Sequence, residues 1–184
     1  MLNDVYEDTK ERMDKAVEKT RHDLASIRTG RAHTSILDGV KVDYYGAKTP
    51  LNQLAQISAP EPRLIVIQPY EKNIIPDIER AIYEADLGLN PQNDGTVIRL
   101  PIPELTQERR EELIRYSHKL AEEGRIAVRN IRRDANDTIK ELEKEHEISE
   151  DDAHRAQENI QEMTDNHTDR IDQLLEHKEE EIRE

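Results

Sequence analysis

TQERREELIRYSHKLAEEGRIAVRNIRRDANDTIKEL, residues 106–142, decides the fold. Leu113, Ser117, Leu120, Gly124, Ala127, Ile131, Ala135, Thr138 and Leu142 recur in steps of three and four without a break, the period of one helical face. Thr106, just after Pro101 and Pro103, is placed to cap the first turn. The spacing predicts a helix of roughly 35 to 40 residues, about 55 Å long. A helix of that length with one apolar seam needs partners, and the chain supplies two. Residues 2–28 carry Leu2, Tyr6, Thr9, Met13, Ala16 with Val17, Thr20, Leu24 and Ile27 at the same spacing. A third helix is predicted from Ser149, where Ser149-Glu150-Asp151-Asp152 resembles a capping box with Asp in place of Glu. Its seam continues through Ala153, Ala156, Ile160, Met163, Ile171, Leu174 and Ile182. Three seams bury one another in an elongated three-helix bundle.

Between the first and second helices the period falls from 3.6 to 2, and Gly and Pro appear. Val40, Val42 and Tyr44 alternate before Gly46, Leu64–Ile67 reads as a short buried strand, and Thr96–Leu100 reads as another. Asn73–Leu87 is expected to be helical, with Ile74, Ile75, Ile78, Ile82 and Ala85 on one face and Pro76 in the first turn, where proline is tolerated. The expected class is α+β. A discontinuous bundle of residues 1–30 and 105–184 carries an inserted small β/α/β domain of residues 31–104. Two chain crossings join the parts, which predicts an articulated molecule.

The formal net charge of −14 argues against a nucleic-acid partner until its distribution is examined. Acids and bases number 7 and 7 in residues 1–31, 10 and 6 in 32–104, 7 and 9 in 105–140, and 17 and 5 in 141–184. Only residues 105–140 have a positive balance, and within them four arginines fall together. Taking Arg125 as zero, Arg129 lies near ~40°, Arg132 near about −20° and Arg133 near ~80° around the helix. Val128, Ile131, Ala135, Ile139 and Leu142 lie to one side of that arc, so the seam can be buried while the guanidinium groups stay outside. Guanidinium forks pair bidentately with phosphate oxygens. A solvated face ion-paired to Glu122, Asp134 and Asp137 accounts for the same residues equally well.

Composition narrows the chemistry further. With no Cys there is neither a disulfide nor thiol catalysis. No Walker A sequence, no G-x-G-x-x-G after a strand and no G-x-S-x-G occurs. The seven His are scattered without an H-x-x-x-H pair, and are expected on solvated helical surfaces rather than at a metal. No apolar run reaches membrane-spanning length and no secretory leader is read at the start. Of Tyr44 and Tyr45, one is expected to face the insert's core and the other the surface.

Separated segments can then be read together. Ser26-Ile-Arg-Thr-Gly-Arg-Ala32 runs into Leu37-Asp-Gly, and Val42-Asp-Tyr-Tyr-Gly46 is followed by Thr49-Pro-Leu-Asn-Gln-Leu-Ala55. Asp86–Pro91, Ile98–Pro103, Leu105–Arg110, Arg125–Asp137 and Glu147–Asp152 follow in order, without obvious insertions. Together they closely resemble bacterial ribosome recycling factors. The resemblance implies an L-shaped molecule, with the bundle as the long arm and the insert as a hinged short arm. It implies a cytoplasmic, monomeric factor that is not an enzyme and has no cofactor or metal. It would bind the large ribosomal subunit after termination and, with elongation factor G and GTP, split the subunits and release messenger and deacylated tRNA. Carried over by position, Arg28, Arg31, Arg110, Arg125, Arg129, Arg132 and Arg133 would contact ribosomal RNA. Gly30, Arg31, Ala32, Pro103, Glu104 and Leu105 would form the hinge.

Overall fold

The computed structural model describes residues 1–184. The chain divides into two compact units, Met1–Thr29 with Thr106–Glu184, and Gly30–Leu105.

The first unit is a bundle of α1 (Leu2–Ala25), α3 (Gln107–Lys144) and α4 (Glu150–Arg183). Both expected caps are present. The Thr106 side chain accepts a hydrogen bond from the Arg109 amide, and Ser149 and Asp152 cap one another's backbone in a complete capping box. The seams differ from expectation at particular positions. In α3, Val128 and Ile139 are buried where the simple series placed Ala127, Thr138 and Leu142, which lie at the margin or outside. The first helix stops at Ala25 rather than continuing to residue 28. Ile27 is nonetheless buried, carried inward by a turn in which its amide donates to the Leu24 carbonyl. Periodicity therefore outlasted the helix that generated it.

Small side chains line the middle of the bundle. Gly124 is one of them, and a Cβ there would collide with Thr20 Oγ1 of α1 and press on Ile171 of α4. The Thr20, Ser117 and Thr164 hydroxyls each donate to the carbonyl four residues earlier in their own helix, at 2.9, 2.8 and 2.7 Å. Their polarity is thus satisfied locally. One histidine departs from the surface expectation. His167 is 5 % exposed, with Nδ1 2.7 Å from the Met163 carbonyl and Nε2 2.7 Å from Asp14 Oδ1 on α1. Both neighbours are acceptors, and each ring nitrogen faces one of them. Lys10, then His167 and Arg170, hold the Asp14 carboxyl well below the usual carboxylate range.

The second unit contains a hairpin, β1 (Lys41–Tyr44) with β2 (Ala47–Pro50), and an antiparallel four-stranded sheet. In that sheet β3 (Ala55–Glu61), β4 (Leu64–Pro69), β6 (Ile98–Pro101) and β5 (Gln92–Asn93) lie side by side in that order. Helix α2 (Ile75–Glu84) carries Pro76 in its first turn, as expected. It is shorter than predicted because a 3₁₀ turn over Lys72–Ile74 precedes it and Asp86 takes a φ of 52° beyond it. Ala81, not Ala85, completes its buried face. The Leu64–Ile67 run alternates instead of being buried throughout. Ile65 and Ile67 are fully enclosed, while Leu64 and Val66 on the other face are only half-buried. Tyr45 and Gly46 form the two-residue hairpin turn with φ of 49° and 83°. Tyr44 packs against the core and donates to Glu71 Oε1, whereas Tyr45 is exposed.

Candidate nucleic-acid interface

The four arginines of 125–133 lie on one side of α3, but the structure sorts them into two kinds. Arg125 is half-buried and directed at α4. Its Nε and Nη2 donate to Asp172 Oδ1 at 2.8 and 2.6 Å, and its Nη1 donates to Glu122 at 3.1 Å. Burial opposes its charge, yet Asp172 and then Glu122 outweigh that effect and hold the guanidinium above its ordinary value. Arg129 is exposed and donates to the other oxygen of Glu122 at 3.1 Å. Hydrogen bonds from Arg125 and then Arg129 keep the Glu122 carboxyl below its ordinary range, so it remains an anion between the two. Arg132 and Arg133 make no internal ion pair; the first is half-buried beside the seam and the second is exposed.

The ion pairs anticipated with Asp134 and Asp137 do not form on this face. Asp134 instead receives Arg12 of α1 at 2.9 Å. Asp172, the strongest partner of Arg125, was not anticipated. It lies 47 residues away and meets Arg125 only through the register of α4 on α3.

The same azimuth carries more cations than the local cluster. Arg115 precedes Arg133 by eighteen residues, about five full turns, so the two project in the same direction. Lys119 and Lys140 lie nearby around the helix, and all three are exposed. Ile126 interrupts this strip, 47 % exposed with its aliphatic surface outward. Extending the helical arithmetic beyond 125–133 would have found each of them.

The three remaining arginine candidates stand apart. Arg110 is on α3, about 22 Å along the axis from Arg125. It is half-buried, with Nε enclosed and lacking a hydrogen-bond partner. Arg28 is exposed just beyond α1 in the bundle, whereas Arg31 belongs to the other unit.

A helical domain interrupted by a small antiparallel sheet, with arginines on the middle helix, limits the families to compare. The family model for ribosome recycling factor matches residues 20–182. The chain belongs to the ribosome recycling factor family. It is 53 % identical over 184 residues to the ribosome-recycling factor of Halothermothrix orenii, covering 100 % of both chains. The ribosome-recycling factor of Halalkalibacterium halodurans is 55 % identical, again over 100 % of each chain. A solution structure of ribosome recycling factor matches with a TM-score of 0.70 and 48 % identity, over 99 % of this chain and 97 % of the other. A second solved chain matches with a TM-score of 0.62 and 48 % identity, over 99 % of this chain and 98 % of its own. It comes from models of the T. thermophilus ribosome recycling factor and the E. coli elongation factor G bound to the E. coli post-termination complex.

Gly30 has φ +77°, and a Cβ there would lie 2.9 Å from Leu105 Cγ, so the two connecting segments run against each other. Around them Ala32 N donates to the Pro62 carbonyl at 2.6 Å, Ile102 N donates to the Arg63 carbonyl at 2.8 Å, and Arg63 pairs with Glu104 at 3.4 Å. No helix is long and apolar enough to cross a membrane.

Proposed function

We propose that this recycling factor binds the large subunit of the post-termination ribosome through the arginine-bearing side of α3. With elongation factor G and GTP it then promotes splitting into subunits and release of messenger and deacylated tRNA. It acts in the cytoplasm as a monomer and is not itself an enzyme; its partner hydrolyses the GTP. The observation that carries the reading is the pair Arg132 and Arg133, without internal counter-ions on the one positively balanced segment of an acidic chain. Guanidinium forks left open in this way suit phosphates, which fix register without reading sequence. Arg129, Arg125, Arg110, Arg28 and Arg31 extend the contact. Gly30–Ala32 and Pro103–Leu105 serve as the hinge on which the insert moves.

Polysome breakdown tests the function directly. Monosomes or subunits should appear only when the chain, elongation factor G and GTP are all present; breakdown that ignores the chain would refute it. Arg132→Ala tests the surface. It should weaken cosedimentation with large subunits by about 1 to 3 kcal/mol, the scale of one or two charged hydrogen bonds. Undiminished cosedimentation of a normally folded variant would remove Arg132 from the interface.

A further inference from the structure

We infer that Glu122 is a built-in competitor for ribosomal RNA phosphate, holding Arg129 in a pairing that the ribosome must break. The inference rests on the proposed ribosome-binding reading. It starts from a division of labour on α3. Arg125 is tied into the bundle whatever it also contacts, because its side chain is only 19 % exposed and it bridges α3 to α4 through Asp172. Arg129 is 45 % exposed, points outward and has no cross-helix partner; its only ion pair is with Glu122, one carboxylate oxygen at 3.1 Å. The other oxygen of Glu122 receives Arg125, also at 3.1 Å. One carboxylate therefore sits between two guanidinium groups, much as a phosphate would. It is anchored on the inner arginine and reaches the outer one.

The competition is one that phosphate can win. Exposed ion pairs are weak, because water and salt screen them and both side chains must be ordered. A backbone phosphodiester presents two non-bridging oxygens to the fork, where Glu122 presents one to Arg129. Arg132 and Arg133, one turn further on, have no such competitor, so they can engage first and Arg129 can exchange afterwards.

Glu122→Gln should raise affinity for purified large subunits about two- to five-fold, the worth of one exposed ion pair at roughly 1.4 kcal/mol per tenfold. Removing any nearby negative charge would do something similar, so the decisive measurement is the double mutant. In an Arg129→Ala background, where the fork is gone, the gain from Glu122→Gln should shrink toward unity. An equal gain in both backgrounds would show general repulsion and overturn the assignment. Unchanged or weaker binding of a folded Glu122→Gln variant would overturn it too. Failure of the wild-type chain to cosediment with subunits would instead refute the ribosome-binding reading on which the inference stands.

Discussion

The bundle and the insert are packed on different principles. Thr9, Thr20, Ser117, Thr164, His167 and Lys178 are the buried polar residues of the protein, and all six belong to the bundle. The insert gathers sixteen aliphatic residues, from Leu37 to Ile102, into one continuous cluster. The bundle's apolar residues fall instead into separate groups along its length. One surrounds Met13, Val17, Val128 and Ile171, and another surrounds Ala135, Ile139, Ala153 and Ile160. A long, thin helical domain cannot collect its core in one place, so each stretch is supported by its own neighbours. The small sheet domain has one core, which is kept or lost as a whole.

The largest expected effect comes from opening a hole in each. Ile67→Ala, in the fully buried face of β4, should cost about 2 to 5 kcal/mol. A domain the size of the insert has in total roughly 4 to 11 kcal/mol. Amide hydrogen exchange should therefore accelerate across β3, β4 and β6 together, while α3 and α4 keep their protection. Ile160→Ala removes a comparable side chain from the bundle, and there the loss of protection should stay near residues 135–160. Uniform loss along all three helices would abolish the distinction.

Legibility in the sequence followed the same division. Long seams and both capping residues of the bundle could be read because each depends on residues close in sequence. In the insert, β1, β4, β6 and α2 could be read, but β2, β3 and β5 could not. Strand β3 buries only Ala55 fully and contains Pro60, so little in its side chains distinguishes it from a loop. Its definition comes from backbone pairing with β4, Ile57 opposite Ile67, which no local pattern encodes. The basic face was legible as an azimuth on a helix, though its internal pairing was not. Asp172 and His167 acquire their partners only when α4 is laid against α3 and α1 in a particular register.

A smaller effect tests how tightly the middle of the bundle is drawn together. Gly124→Ala gains helix propensity of about 1 kcal/mol. The added Cβ, however, falls onto Thr20 Oγ1, whose position is fixed by its bond to the Ala16 carbonyl. Overpacking of this kind costs about 1 to 3 kcal/mol, so a net loss of roughly 1 kcal/mol is expected. Thr20→Ala removes the obstructing hydroxyl. The double variant should melt above Gly124→Ala alone, because the two sites share one contact. Simple additivity would mean that the helices part without strain and that their approach at Gly124 is not a constraint.

The smallest effect concerns acid, where the units should weaken for different local reasons. Asp94 precedes β6, and its Oδ1 accepts from the Thr96 and Val97 amides at 2.9 Å each while Arg99 reaches Oδ2 at 2.9 Å. The Val97 and Thr96 amides, then Arg99, hold its pKa down from 3.8 to about 2. Because the folded value lies below the unfolded one, this contribution is complete above about pH 4. It is lost as pH falls to about 2, where the carboxyl protonates in the folded state as well. Asp14 in the bundle is lowered too, so both units should soften in acid. Asp94→Asn separates them. Its side-chain oxygen can still accept from the two amides, but the charge facing Arg99 is gone. The variant's insert should be slightly less stable at neutral pH and respond less to acid between pH 4 and 2, with the bundle's response unchanged. Exchange protection of Ile98 and Leu100, followed across that range, is the readout. An acid response in β6 as steep as the wild type's would mean that the carboxylate does not hold this turn, leaving the aliphatic core as the insert's main support.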